Sequence, residues 1–89
     1  MTKLQFDSRF VNDMSAVYSA KVAREIDSVL DTIELFGAAG SRDVSAHLKR
    51  RFGDDIRKFP AGPFDVIYAY DEEGDIAHIR ALIHQKRAL

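Results

Sequence analysis

The stretch Phe59–Arg87, FPAGPFDVIYAYDEEGDIAHIRALIHQKR, decides the fold. Residues Phe64 to Tyr70 are aromatic and β-branched, which suits a pleated, half-buried strand. Asp71-Glu72-Glu73-Gly74 breaks that run, and Gly74 suits the positive φ of a tight turn. A second strand is expected over Asp75 to Ile83, closing in the basic cluster His84, Lys86, Arg87. If Tyr70 lies opposite Asp75, then Phe64 faces Ala81, Val66 faces Ile79 and Tyr68 faces Ala77. Side chains alternate along a strand, so these form one apolar face. The other face pairs Asp65 with Arg80 and Ile67 with His78. It is mixed and polar, as a solvated surface or a binding cleft would be, and Arg57 and His84 extend it.

Working outward, Pro60-Ala61-Gly62-Pro63 makes a turn, preceded by a strand over Asp55 to Phe59. Before it, Ser41 to Phe52 admits two readings. Val44, Leu48 and Phe52 recur every four residues, as in a helix capped by Asp43 and ended by Gly53; Leu48, Arg50 and Phe52 alternate, as in a strand. Further upstream, Val11, Met14, Tyr18, Val22, Ile26, Val29, Ile33 and Phe36 recur at steps of three or four, the mark of an amphipathic helix. A single helix from Ser8 to Phe36 is too long for so small a domain. Ser19 is a natural N-cap, so a helical hairpin broken near Tyr18 to Ala20 is expected. Asp7 or Ser8 caps the first helix, Gly37 and Gly40 end the second, and Lys3 to Phe6 reads as a short first strand. The expected fold is α+β: one domain, residues 1–89, with an N-terminal helical hairpin packed on one face of a small, mainly antiparallel β-sheet.

Bulk properties narrow the function. With 13 basic and 14 acidic residues the net charge is −1, which disfavours nucleic-acid binding driven by total charge. The distribution is uneven, however. Arg42 to Lys58 holds six basic residues against three acidic ones, and Arg80 onward holds three basic and none acidic. A local basic surface on a near-neutral protein follows. There is no cysteine, so a disulfide framework or thiolate metal site is excluded. The three histidines show no metal-ligand spacing, and neither a metal nor a cofactor is expected. The absence of a long apolar run or signal core points to the cytoplasm, without a membrane partner.

The order helix, helix, then antiparallel strands resembles the RelE/ParE superfamily of small bacterial toxins. The matching segments are Ile56 to Phe59 (IRKF), Phe64 to Tyr70 (FDVIYAY) and Ile79 to Arg87 (IRALIHQKR). The resemblance implies a type II toxin, a growth inhibitor neutralised by a cognate antitoxin. ParE-like members inhibit DNA gyrase, whereas RelE-like members cut messenger RNA on the ribosome. The nuclease branch implies His84 as acid or base, with Arg57 and Arg87 clamping phosphate. Asp65 stands where that branch would want a cation, overall charge is not basic, and the C-terminal tyrosine of some nucleases has no counterpart before Leu89. Gyrase inhibition is therefore the preferred expectation and ribosome-dependent RNA cleavage the alternative. A third reading is a non-toxic interaction module on the same fold. Lys49, Arg50, Arg51, Arg80 and Lys86 are the candidate partner-binding residues. His78 reads as structural, and His47 receives no role.

Overall fold

The computed structural model describes residues 1–87. Its elements run β1 (Lys3–Phe6), α1 (Ser8–Met14), α2 (Ala20–Leu35), a 3-10 turn (Gly37–Ala39), α3 (Ala46–Phe52), β2 (Ile56–Ala61), β3 (Phe64–Asp71), β4 (Ile76–His84) and a second 3-10 turn (Gln85–Arg87). The sheet order is β1-β4-β3-β2, with β1 parallel to β4 and the remaining pairs antiparallel.

The helical hairpin forms as its capping residues dictate. Ser19 accepts the Val22 amide at 3.2 Å, satisfying one of the orphan donors that open α2. The break spans Ser15 to Ser19, so α1 is only two turns long. Asp7 occupies the N-cap position of α1 without a side-chain cap bond; its carboxylate instead meets Arg80 Nη1 at 3.3 Å. The stripe Ile26, Val29 and Ile33 is buried with Phe10 of α1 against Val66, Tyr68, Ala77 and Ile79 of the sheet. Each fully buried aliphatic side chain here contributes about 1.5–3 kcal/mol.

The segment before β2 resolves as a helix. Ser45, not Asp43, is its N-cap and accepts the Leu48 amide at 3.3 Å. Gly53 ends it at φ 109°, a conformation that side chains disfavour. The strand β2 then continues through Pro60 to Ala61, so the turn contracts to Gly62-Pro63. Pro60 is tolerated because β2 is an edge strand.

The hairpin register differs from the expected one. Asp71 pairs with Ile76, Tyr70 with Ala77 and Tyr68 with Ile79. The turn is Glu72 to Asp75, and Asp75 itself takes the positive φ of 51°. Beyond Tyr68 the register shifts again: Ile67 pairs with Ala81 and Asp65 with Ile83. Arg80 is the extra residue of a β-bulge. The bulge reverses the alternation, so Ile79 and Leu82 face the hairpin while Ala81 and Ile83 face the opposite side.

That opposite side is not the open polar face the sequence suggested. Val44, Leu48 and half-buried Phe52 cover it, packing on Ile56, Ile67, Ala81 and Ile83. Helices thus lie on both sides of the sheet: the hairpin on one face and α3 on the other. Asp65 is 5% exposed and lies across from Ile83, so its expected pair with Arg80 does not form.

The N-terminal strand is stitched to the β3–β4 turn. Thr2 Oγ1 and Tyr70 Oη both donate to Asp75 Oδ1 at 2.7 Å. These donors, Thr2 foremost, hold the Asp75 carboxyl below its ordinary value. A folded-state pKa below the unfolded one stabilises the fold above about pH 4 and is lost as pH falls through the folded value. Asp75→Asn is therefore expected to lower Tm near pH 7, with the gap to wild type narrowing towards pH 3. Thermal melts across that range check it; a gap independent of pH would contradict the linkage.

Candidate nucleic-acid interface

Where β4 ends, three elements converge on a cleft of about 300 Å³, lined by Arg9 and Asp13 of α1, His47 and Arg51 of α3, Leu82, Ile83 and His84 of β4, and Arg87. Its volume is at the low end for small-ligand sites. Three guanidiniums and two imidazoles line it with one carboxylate, a composition suited to an anionic group such as a phosphodiester.

Each side chain is held by local structure. Asp13 Oδ2 accepts the Leu82 amide at 3.0 Å, fastening α1 to β4 just past the bulge. The same oxygen lies 3.5 Å from Arg9 Nε. The Phe52 ring carries Arg9 Cζ at 5.4 Å and Arg51 Cζ at 5.2 Å from its centroid, so one aromatic aligns two cations by cation–π attraction. His84 packs edge-on to Phe64 with centroids 5.6 Å apart. Its Nδ1 accepts the Lys86 amide at 3.2 Å. The turn carrying Arg87 is anchored by Gln85, whose amide donates to Pro63 O at 2.9 Å and whose Nε2 reaches Gly62 O and Phe64 O at 3.3 Å.

Of the residues nominated from sequence, His84, Arg87 and Arg51 meet in this cleft. Arg57 stands apart: its Nη1 donates to Ala38 O at 3.0 Å and Gly40 O at 3.2 Å. It braces the loop after α2, where Tyr68 Oη also donates to Gly37 O and accepts the Gly40 amide. Burial pushes the Tyr68 phenol above its ordinary value. A Cβ on Gly40 would fall 2.6 Å from the Tyr68 ring, so only glycine fits there. Arg80 is engaged with Asp7. Lys86 and Arg50 are exposed and Lys49 half-buried, all outside the cleft lining.

Sequence reading missed Arg9, Asp13 and His47. A signal existed: Arg9/Asp13 and His47/Arg51 are each four residues apart, and share a helix face once both segments are helical. Their convergence depends on packing across the sheet, which spacing does not encode. Two larger concavities flank β1. One is lined mainly by Met1, Leu35, Phe36 and Tyr70, the other by Lys3, Phe6 and the acids Asp27, Asp31 and Glu34. Neither assembles several cations. Among the described residues no group of three or more His, Asp or Glu side chains is placed to hold a metal ion, and no helix is long and apolar enough to cross a membrane.

This α+β arrangement of a helical hairpin and a four-stranded sheet is shared with known structures. The isolated E. coli RelE toxin superposes with a TM-score of 0.72 at 13% identity, over 98% of this chain and 87% of that one. The intact E. coli RelBE toxin–antitoxin complex gives 0.69 at 13%, over 98% and 100%. The archaeal RelE–RelB complex from Pyrococcus horikoshii OT3 gives 0.66 at 15%, over 98% of each chain. No protein-family model and no curated protein matches the chain. The chain has the fold of the RelE toxins, as the sequence resemblance led one to expect.

Proposed function

We infer that this protein is a growth-inhibiting toxin of the RelE type that cleaves messenger RNA on the ribosome and is restrained by a cognate antitoxin. The observation that carries this reading is the convergence of Arg9, Arg51, Arg87, His47 and His84 on one cleft. Cleavage through the 2′-hydroxyl needs cations around the phosphate and groups that move protons, and the cleft holds both types. The similarity to RelE in complex with RelB supports an antitoxin partner.

The gyrase preference rested on Asp65 standing where a cation was wanted, on the near-neutral charge and on the missing C-terminal tyrosine. Asp65 is buried and absent from the cleft lining, which removes the first of these objections. Near-neutral overall charge is offset by a locally cationic cleft, whose field acts within about 8–10 Å at physiological salt.

Induced expression tests the reading. Growth arrest with shortened transcripts is expected, relieved by co-expressing a cognate antitoxin. Intact transcripts with an induced DNA-damage response would favour gyrase instead. Normal growth would favour a non-toxic module.

A further inference from the structure

We propose that His47 is the general base of the cleft and that His84 serves as a hydrogen-bond donor to the phosphate. This assignment rests on the nuclease reading above. The two imidazoles line the same cleft but are held differently. His84 Nδ1 accepts the Lys86 amide, so its ring proton sits on Nε2 and its only remaining polar atom is a donor. That state offers no lone pair to a hydroxyl. His47 is exposed on α3 and, among the described residues, makes no side-chain hydrogen bond that would fix a tautomer. It is the histidine with a lone pair to give.

Its surroundings fit this task. The charged and titratable groups that share the cleft with it are Arg9 and Asp13 of α1, Arg51 of its own helix, His84 of β4 and Arg87 of the turn that follows. The guanidiniums are placed to bind the anionic phosphate. Leu48, the next residue along, is 1% exposed in the sheet-facing cluster, so the helix bearing His47 has a fixed seat.

The step balances without an oxidant or reductant. His47 takes the proton of a ribose 2′-hydroxyl, and the 2′-oxygen forms a bond to phosphorus. The bond from phosphorus to the 5′-oxygen breaks, its electron pair leaving with that oxygen, which takes a proton from water. The products are a 2′,3′-cyclic phosphate and a 5′-hydroxyl, and His47 returns its proton to solvent. A His84 Nε2–H donor and the arginines stabilise the charge that develops on the phosphoryl oxygens.

The test is single-turnover cleavage of messenger RNA on programmed ribosomes by wild type, His47→Ala and His84→Ala, with and without added imidazole, from pH 6 to 8.5. Wild type is expected to gain rate as pH rises, as a base that acts unprotonated requires, and then level off. His47→Ala is expected to fall at least about 100-fold, lose that pH rise, and recover in added imidazole. His84→Ala is expected to fall while keeping the pH rise, without rescue. A His47→Ala rate within twofold of wild type would overturn the proposal, as would a loss that imidazole leaves unrestored. If wild type itself leaves the message intact, the nuclease reading fails. That is distinct from the failure of His47, in which wild type and His47→Ala cut alike.

Discussion

Arg87→Ala is expected to slow RNA cleavage about 100-fold and to abolish growth arrest, with the fold intact. Removing one preorganised donor aimed at developing charge costs about 10²–10³ in rate. Arg87 belongs to the exposed turn after β4 and, among the described residues, makes no ion pair. Its turn is held by Gln85, which donates to the carbonyls of Pro63, Gly62 and Phe64. Thermal melts of Arg87→Ala should overlay those of wild type within about 0.5 kcal/mol of stability, as for most surface substitutions. Arg57→Ala is the instructive contrast. Arg57 hydrogen-bonds the carbonyls of Ala38 and Gly40 rather than lining the cleft. A lower Tm with little change in cleavage per folded molecule is expected for it. Equal cleavage by Arg87→Ala and wild type would remove Arg87 from the site.

The largest stability effect is expected from Leu48→Ala. Leu48 is 1% exposed and sits at the centre of the cluster formed by Val44, Ile56, Ile67, Ala81 and Ile83. Truncating such a leucine costs about 2–5 kcal/mol through lost transfer energy and the cavity left behind. A domain of this size has about 5–15 kcal/mol in total. Each kcal/mol is worth about 4–8 °C, so Tm should fall by at least about 8 °C. Activity should fall too, since α3 delivers both His47 and Arg51 to the cleft. Had the second sheet face been open and polar, Leu48→Ala would be a surface change worth about 0.5 kcal/mol or less. Calorimetry of the two proteins separates these outcomes.

That contrast also marks what was legible in the sequence. The α2 stripe, the Ser19 cap and the alternating strand of Phe64 to Tyr70 were readable because each is a local pattern with one physical cause. Val66, Tyr68, Ala77 and Ile79 face the hairpin as their alternation implied. The register was not readable, since it depends on Asp75 adopting φ 51° and on the bulge at Arg80. A register error moves side chains to the wrong partner or face, which is why Asp65 and Arg80 were paired on paper and are apart in the fold. Of the candidate site, His84, Arg87 and Arg51 stood out as cations near a strand end or on a charged run. Arg9, Asp13 and His47 did not, because they reach the cleft from helices on opposite sides of the sheet. Arg57, nominated as a phosphate ligand, hydrogen-bonds carbonyls of the loop after α2 and lies outside the cleft lining.

On the proposed reading this cleft cuts RNA. Its most direct test is to add the purified protein to ribosomes translating a defined message and to map the ends of the fragments. The expected result is discrete cuts carrying 2′,3′-cyclic phosphate ends with wild type and almost none with Arg87→Ala. An intact message at equal protein concentration, accompanied by inhibition of gyrase supercoiling in a parallel assay, would contradict it.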